Sequence, residues 1–352
     1  MAIHSALTAF GGLPVHRLAA PRPYPPLDPK TAALVAANGI TMPPATWPEV
    51  GAAGPRAQDV AWVLAADQYR PGLAVSGLLD GLLEAVDSAN VRALVVGYWA
   101  EGSLKRSTAD RIVDLLVSHA DRLPGLRHLF VNDIVAEQHE ISWIPPTDIT
   151  PLLDAYPDLV ELGYRFGTRA GNVPPTILRP TRHTALRRLT LQTGGMPAAL
   201  PAAIAACDFP ALEHLDLWLG TAFYGGTATV GDLDGLLARD AFPALRHLGL
   251  RNSEIQDDIA LAVSGAPTVA RLRSLDLSMG TLSDRGAEAL LAGQPLTHLD
   301  ELSLRHHFLG AGMGTRIREA LEPHGVRVDL SDARRRWEQD DTGDGRYTEV
   351  SE

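Results

Sequence analysis

Cysteine is almost absent from this chain: Cys207 stands alone. An intrachain disulfide and a cysteine-built zinc site are therefore excluded, and a reducing compartment fits. Lysine is nearly as scarce, with Lys30 and Lys105 the only two, so positive charge is carried by arginine. That charge is in deficit. The formal net charge is -11, which argues against the clustered basic footprint of a nucleic-acid binder. No apolar run approaches the roughly 18 residues that a membrane-spanning helix needs. The opening Met1-Ala-Ile-His-Ser-Ala-Leu lacks the basic and apolar regions of a secretory signal. A cytoplasmic protein with no nucleic-acid or membrane partner is expected.

What the chain has in abundance is leucine in a fixed frame, Leu-x-x-Leu-x-Leu. It recurs at Leu126/Leu129/Val131, Leu159/Leu162/Tyr164, Leu186/Leu189/Leu191, Leu212/Leu215/Leu217, Leu245/Leu248/Leu250, Leu272/Leu275/Leu277 and Leu299/Leu302/Leu304. Weaker copies begin at Val60 and Val91, and a last one lies near Val328. Self-similarity at such a period marks a repeat architecture in which each unit packs on its neighbours. Within a unit the period changes. The Leu-x-Leu part alternates like a half-buried strand, and stripes such as Leu79, Leu82, Leu83 and Val86 are helical. Thr229-x-x-Asp232 and Ser107-x-x-Asp110 resemble capping boxes. Pro124, Pro157, Pro210 and Pro243, each two residues before a first Leu, read as helix terminators.

One strand and one helix per unit makes an α/β chain with parallel strands. An open horseshoe and a closed eight-unit barrel both satisfy this. Barrel strands are buried on both faces and read as continuous apolar runs. Here the alternate positions are polar, which favours the horseshoe. Residues 1–55, interrupted by prolines from Pro14 to Pro48, are expected to form an extended arm capping the first repeat, with a short helix at 31–38. Residues 56–331 form the repeat domain of about ten units. Residues 332–352 are a charged tail, either solvated or pairing as a final strand through Arg346-Tyr-Thr-Glu-Val.

The segment Leu272-Arg-Ser-Leu-Asp-Leu-Ser-Met-Gly-Thr-Leu-Ser-Asp-Arg-Gly-Ala-Glu-Ala-Leu resembles the leucine-rich repeat of the ribonuclease-inhibitor type. The resemblance implies a solenoid with parallel strands on the concave face, helices on the convex face, and protein binding. One departure recurs: the usual Asn or Cys ladder position holds Gly194, Gly220, Ser253, Gly280 and His307. Tight turns or buried water are expected in its place. Phe10-Gly-Gly-Leu-Pro-Val and Leu250-Arg-Asn-Ser-Glu-Ile-Gln-Asp further resemble an uncharacterised bacterial family of such repeat proteins. That family is encoded near radical-SAM and ATP-grasp proteins, which implies an accessory role in a modification pathway.

Strand periodicity places three columns on the exposed face. From these and the adjoining positions the candidate binding residues are His128, Phe130, Asn132, Glu161, Arg165, Phe166, Arg188, Gln192, His214, Asp216, Trp218, His247, Arg251, Asp276 and Arg305. Exposed aromatics beside arginines are the residue types enriched at interface hot spots. Phe166 and Trp218 either serve this role or tuck under loops and pack. His214 and His247 with Asp216 are suited to a divalent metal or to acid–base work, or form a polar cluster on a ligand-facing sheet. No third fixed ligand or supporting shell can be named, so no metal, cofactor or catalytic residue is expected. His139-Glu140 lacks the second His of a zinc-protease helix. The calcium-like Asp340-Asp-Thr-Gly-Asp-Gly has Ser351 where the loop needs Glu. Insertions at 137–150 and 219–229 carry apolar residues on the strand-end rim. The expected function is a non-enzymatic module for an unidentified protein or peptide, with a monomer favoured. The alternative is a metal-dependent or acid–base accessory enzyme.

Overall fold

The computed structural model describes residues 3–18, 54–66, 75–99, 106–168, 176–238, 241–336 and 345–351. The short helix expected at 31–38 and all but Gly345 of the calcium-like run at 340–345 lie outside these residues. The chain divides into two compact units: Leu7–Asp133, and Ile134–Glu352 together with Met1–Ala6. Both are mixed α/β. Within each unit the strands pair in chain order and, apart from the first pair, run parallel. Among the described residues the last strand, Arg327–Asp329, pairs on one side only, so its sheet is open and does not close into a barrel. No helix among the described residues is long and apolar enough to cross a membrane.

The first unit holds β1 (Ala9–Phe10), β2 (Leu13–Arg17), β3 (Ala61–Leu64), β4 (Ala93–Val96) and β5 (His128–Val131). Gly11 and Gly12, at φ +58° and +73°, close the antiparallel β1–β2 hairpin. A two-residue turn with both φ positive matches the right-handed twist of its strands, and glycine adopts it without strain. β2 then pairs parallel with β3, Val15 opposite Ala61. The segment read as a capping arm therefore supplies the first two strands. The expectation of an exposed face fails in this unit. Ala61, Val63, Ala93, Val95 and Phe130 are apolar and buried, and Phe10, Leu7, Leu13 and Val15 pack over them. A strand apolar on both sides must be covered on both, and the N-terminal segment does this.

The second unit holds β6 (Glu161–Phe166), β7 (Arg188–Thr193), β8 (His214–Gly220), β9 (His247–Ser253), β10 (Ser274–Asp276), β11 (Glu301–Ser303) and β12 (Arg327–Asp329). The register runs Glu161, Arg188, His214, His247, Ser274, Glu301, Arg327, one residue per strand. Leu189, Leu215, Leu248 and Leu275, one position on, are fully buried on the opposite side. Each such leucine contributes about 1.5–3 kcal/mol. Helices Gln256–Ser264, Asp284–Ala292 and Ala311–Leu321 follow β9, β10 and β11. The Thr229–Asp232 capping box forms, with the Asp232 carboxylate accepting from the Thr229 amide at 2.8 Å. Ser107 instead lies inside the helix Arg106–Ser118.

Tight turns close the strand ends of the second unit. Asn252, Met279 and His306 sit at φ +54°, +68° and +58°, in the left-handed region. Their amides donate to the carbonyls of Ser278, Arg305 and Ser331 in the next repeat. Between two turns the buried Gln256 side chain donates to the Leu250 carbonyl at 2.9 Å. A Cβ on Gly280 would lie 2.2 Å from Gln256 Oε1, so glycine is required there.

Candidate binding face

The site is built by parity. Residues flanking the buried leucines point to the other side of the sheet, and strands lie about 4.8 Å apart. Glu161, Arg188, His214 and His247 therefore stand side by side across β6–β9, with Thr190, Asp216 and Asp276 in the next column. Arg188 is exposed, while Glu161, His214, His247 and Asp276 are half-buried.

His214 and His247 stack face to face, with ring centroids 3.8 Å apart and an interplanar angle of 5°. Burial, then the neighbouring His247 and the Arg188 and Arg251 guanidiniums, push His214 down to about 3. Burial likewise lowers His247, outweighing the carboxylates of Asp216 and Asp276. Both rings are neutral at neutral pH, so they stack without repulsion. His247 Nδ1 is within 2.7 Å of Ser274 Oγ. Arg251 crosses the middle column. It donates to Asp216 Oδ2 at 2.9 Å and to Ser278 Oγ at 3.0 Å, and its Nε lies 3.2 Å from Asp276. Burial opposes its charge, but the two aspartates overcome this and raise its pKa.

His214, Asp216 and His247 each offer a ligand atom within 4.8 Å of the others. An imidazole donates its lone pair in the ring plane. Two parallel stacked rings cannot both aim at one ion, so metal binding requires one ring to leave the stack. Asp216 Oδ1 and His247 Nε2 are buried without a hydrogen-bond partner.

Several expected residues are corrected. Phe166 shares parity with Leu162 and Tyr164, and its ring stacks on Tyr164 at 5.0 Å on the leucine side of the sheet. Trp218 is on the expected side but only 8% exposed, packed with Ile141, Met279 and Val350. The Arg251 guanidinium lies 5.8 Å from its ring centroid. Arg165 is buried, donating to the Ile134 carbonyl at 2.6 Å and to Gln192 Oε1 at 2.9 Å. In the first unit, Phe130 packs edge-on against Phe10 at 5.8 Å, as His128 does at 6.2 Å. Asn132 takes φ +68° and accepts from Trp99 Nε1 at 2.6 Å. All three make these contacts within the first unit. On the strand faces Phe130 is covered by Phe10 in the first unit, and Trp218 by Val350 in the second.

Residues 345–351 neither form a final strand nor stand free in solvent. They lie along the strand ends of the second unit. Asn252 brackets Val350, Glu349 N donates to the Met279 carbonyl at 2.8 Å, and the Ser142 hydroxyl donates to the Ser351 carbonyl at 2.6 Å. The Glu349 carboxylate pairs with Arg305, so this last candidate residue faces the tail. Of the rim insertions, Ile141, Ile144 and Tyr224 are buried anchors. Trp143 is 40% exposed and Phe223 71% exposed.

No family model matches this chain. No curated protein matches it either. Among solved structures, it is similar to a Bacteroides fragilis protein solved as a structural-genomics target. The two share 24% identity over 92% of this chain and 86% of that one, with a TM-score of 0.72. At that identity the likeness speaks for the fold alone.

Proposed function

We propose that the chain is a leucine-rich-repeat solenoid of cytoplasmic location, working as a non-enzymatic binding module for a protein or peptide. One observation supports this above the others: Arg188, His214, His247, Ser274 and Glu301 stand in register across five parallel strands, none of them fully buried. Strand pairing holds them in place, which lowers the ordering cost of association. The test is co-purification from lysate of the source organism followed by mass spectrometry. Arg188→Glu with Thr190→Arg on the strand face should remove specific companions that Arg316→Glu on the helix side retains. Identical companions from both variants would end the reading.

The unpartnered, buried Asp216 Oδ1 and His247 Nε2 favour a second reading, a divalent-cation site in an accessory enzyme. Zinc titration by calorimetry decides it: stoichiometric binding abolished by His247→Asn supports the site, and no heat of binding removes it.

A further inference from the structure

Residues 345–351 are held as a receptor holds a peptide. Asn252, His306 and Asp257 are buried polar side chains, and each bonds residues 345–351. Asn252 takes both main-chain groups of Val350, at 2.9 and 2.5 Å. Met279 accepts from the Glu349 amide, and His306 Nε2 meets the Tyr347 carbonyl at 3.1 Å. These three receptor residues are the left-handed turn residues of successive repeats. The segment thus runs across the strand ends against the repeat order, held mainly through its backbone. Side chains add selectivity. Val350 enters the apolar pocket of Trp218, Met279 and Ile141. Glu349 meets Arg305, and Arg346 donates to Asp257 Oδ2 at 2.8 Å. Main-chain bonds for affinity with pockets for alternate side chains is the logic of extended-peptide recognition.

We propose that this groove is a peptide-binding site and that residues 345–351 occupy it in cis, to be displaced by a partner's extended segment carrying glutamate followed by a β-branched residue. The proposal rests on the binding role above and names its ligand. The glutamate meets Arg305 and the β-branched side chain fills the Trp218 pocket, while Asn252 reads the backbone whatever the side chain. In the free protein residues 345–351 compete, so affinity is set by how readily the strap leaves.

The test uses full-length protein and a labelled peptide, Gly-Arg-Tyr-Thr-Glu-Val-Ser-Glu, followed by fluorescence anisotropy. Arg346→Ala with Val350→Asp alters only the strap and leaves the groove intact. This variant should bind the peptide at least tenfold more tightly than the wild type, and a peptide with Asp in place of Val should not bind. Equal or absent binding by both folded proteins overturns the proposal and leaves a structural clasp. Should the variant not fold, hydrogen exchange on the wild type decides. Exchange of the Glu349 and Val350 amides well ahead of Leu250 supports displacement; exchange in step with Leu250 overturns it. A strap-exchanged dimer in light scattering also overturns it, in favour of a second copy. Peptide binding does not depend on lysate capture, so the two readings fail separately.

Discussion

Asn252 and Val350, 98 residues apart, form a closed pair. The Asn252 carboxamide accepts from the Val350 amide at 2.9 Å and donates to its carbonyl at 2.5 Å. A buried main-chain unit has no water to turn to, so its two groups depend on this side chain.

Asn252→Ala removes both bonds at once. Leaving buried polar groups unpaired costs about 1–3 kcal/mol. Alanine also fits φ +54° less well than asparagine. A fall in thermal midpoint and faster exchange of the Val350 amide are expected; an unchanged melt would show that the tail adds nothing to the fold.

The stacked histidines make the fold acid-sensitive. Burial holds His214 down to about 3, whereas the unfolded chain takes up that proton near the ordinary imidazole value of 6.5. Stability from this ring is full above that value and declines as pH falls from about 6.5 toward 3, because the unfolded state binds the proton first. His214→Asn should flatten the difference in thermal midpoint between pH 7.5 and pH 5, while the other lowered histidines keep part of the slope. An unchanged slope would contradict the buried, neutral assignment.

Gly280→Ala places a methyl against Gln256 Oε1, at 2.2 Å before any shift. Overpacking of this kind costs about 1–3 kcal/mol. In a Gln256→Ala background the same change should cost measurably less. Chemical denaturation of the four proteins of this cycle gives the coupling, and simple additivity would refute the close approach.

In the first unit, Phe10→Ala uncovers Phe130, Val63 and Val95. A loss of about 3–5 kcal/mol is expected from removing a buried phenylalanine. Denaturant titration checks it; a loss below about 1 kcal/mol would mean that the hairpin is not part of that core.

The parallel pairing and strand register were legible because they follow from period-two burial of Leu189, Leu215, Leu248 and Leu275. Of the tight turns, Gly220, at φ +69°, stands where a ladder side chain would be, whereas Asn252, Met279 and His306 each precede that position and gave no such signal. Phe166 was misplaced against a signal already present, since it is an even number of residues from Leu162. Gly11-Gly12 between alternating residues was a hairpin signal that the surrounding prolines obscured. What no local pattern carries is the covering of the strand face by the chain ends. The packing of Phe10 on Phe130 and of Val350 on Trp218 joins residues about a hundred or more apart, and depends on tertiary fit rather than period.

The most direct measurement is site-specific photocrosslinking in cells of the source organism, with a benzophenone residue at Thr190 on the strand face or at Arg316 on the helix side. One dominant protein adduct from position 190, absent from position 316, is expected. No adduct at position 190, or the same adducts from both positions, would contradict the strand face as a binding surface.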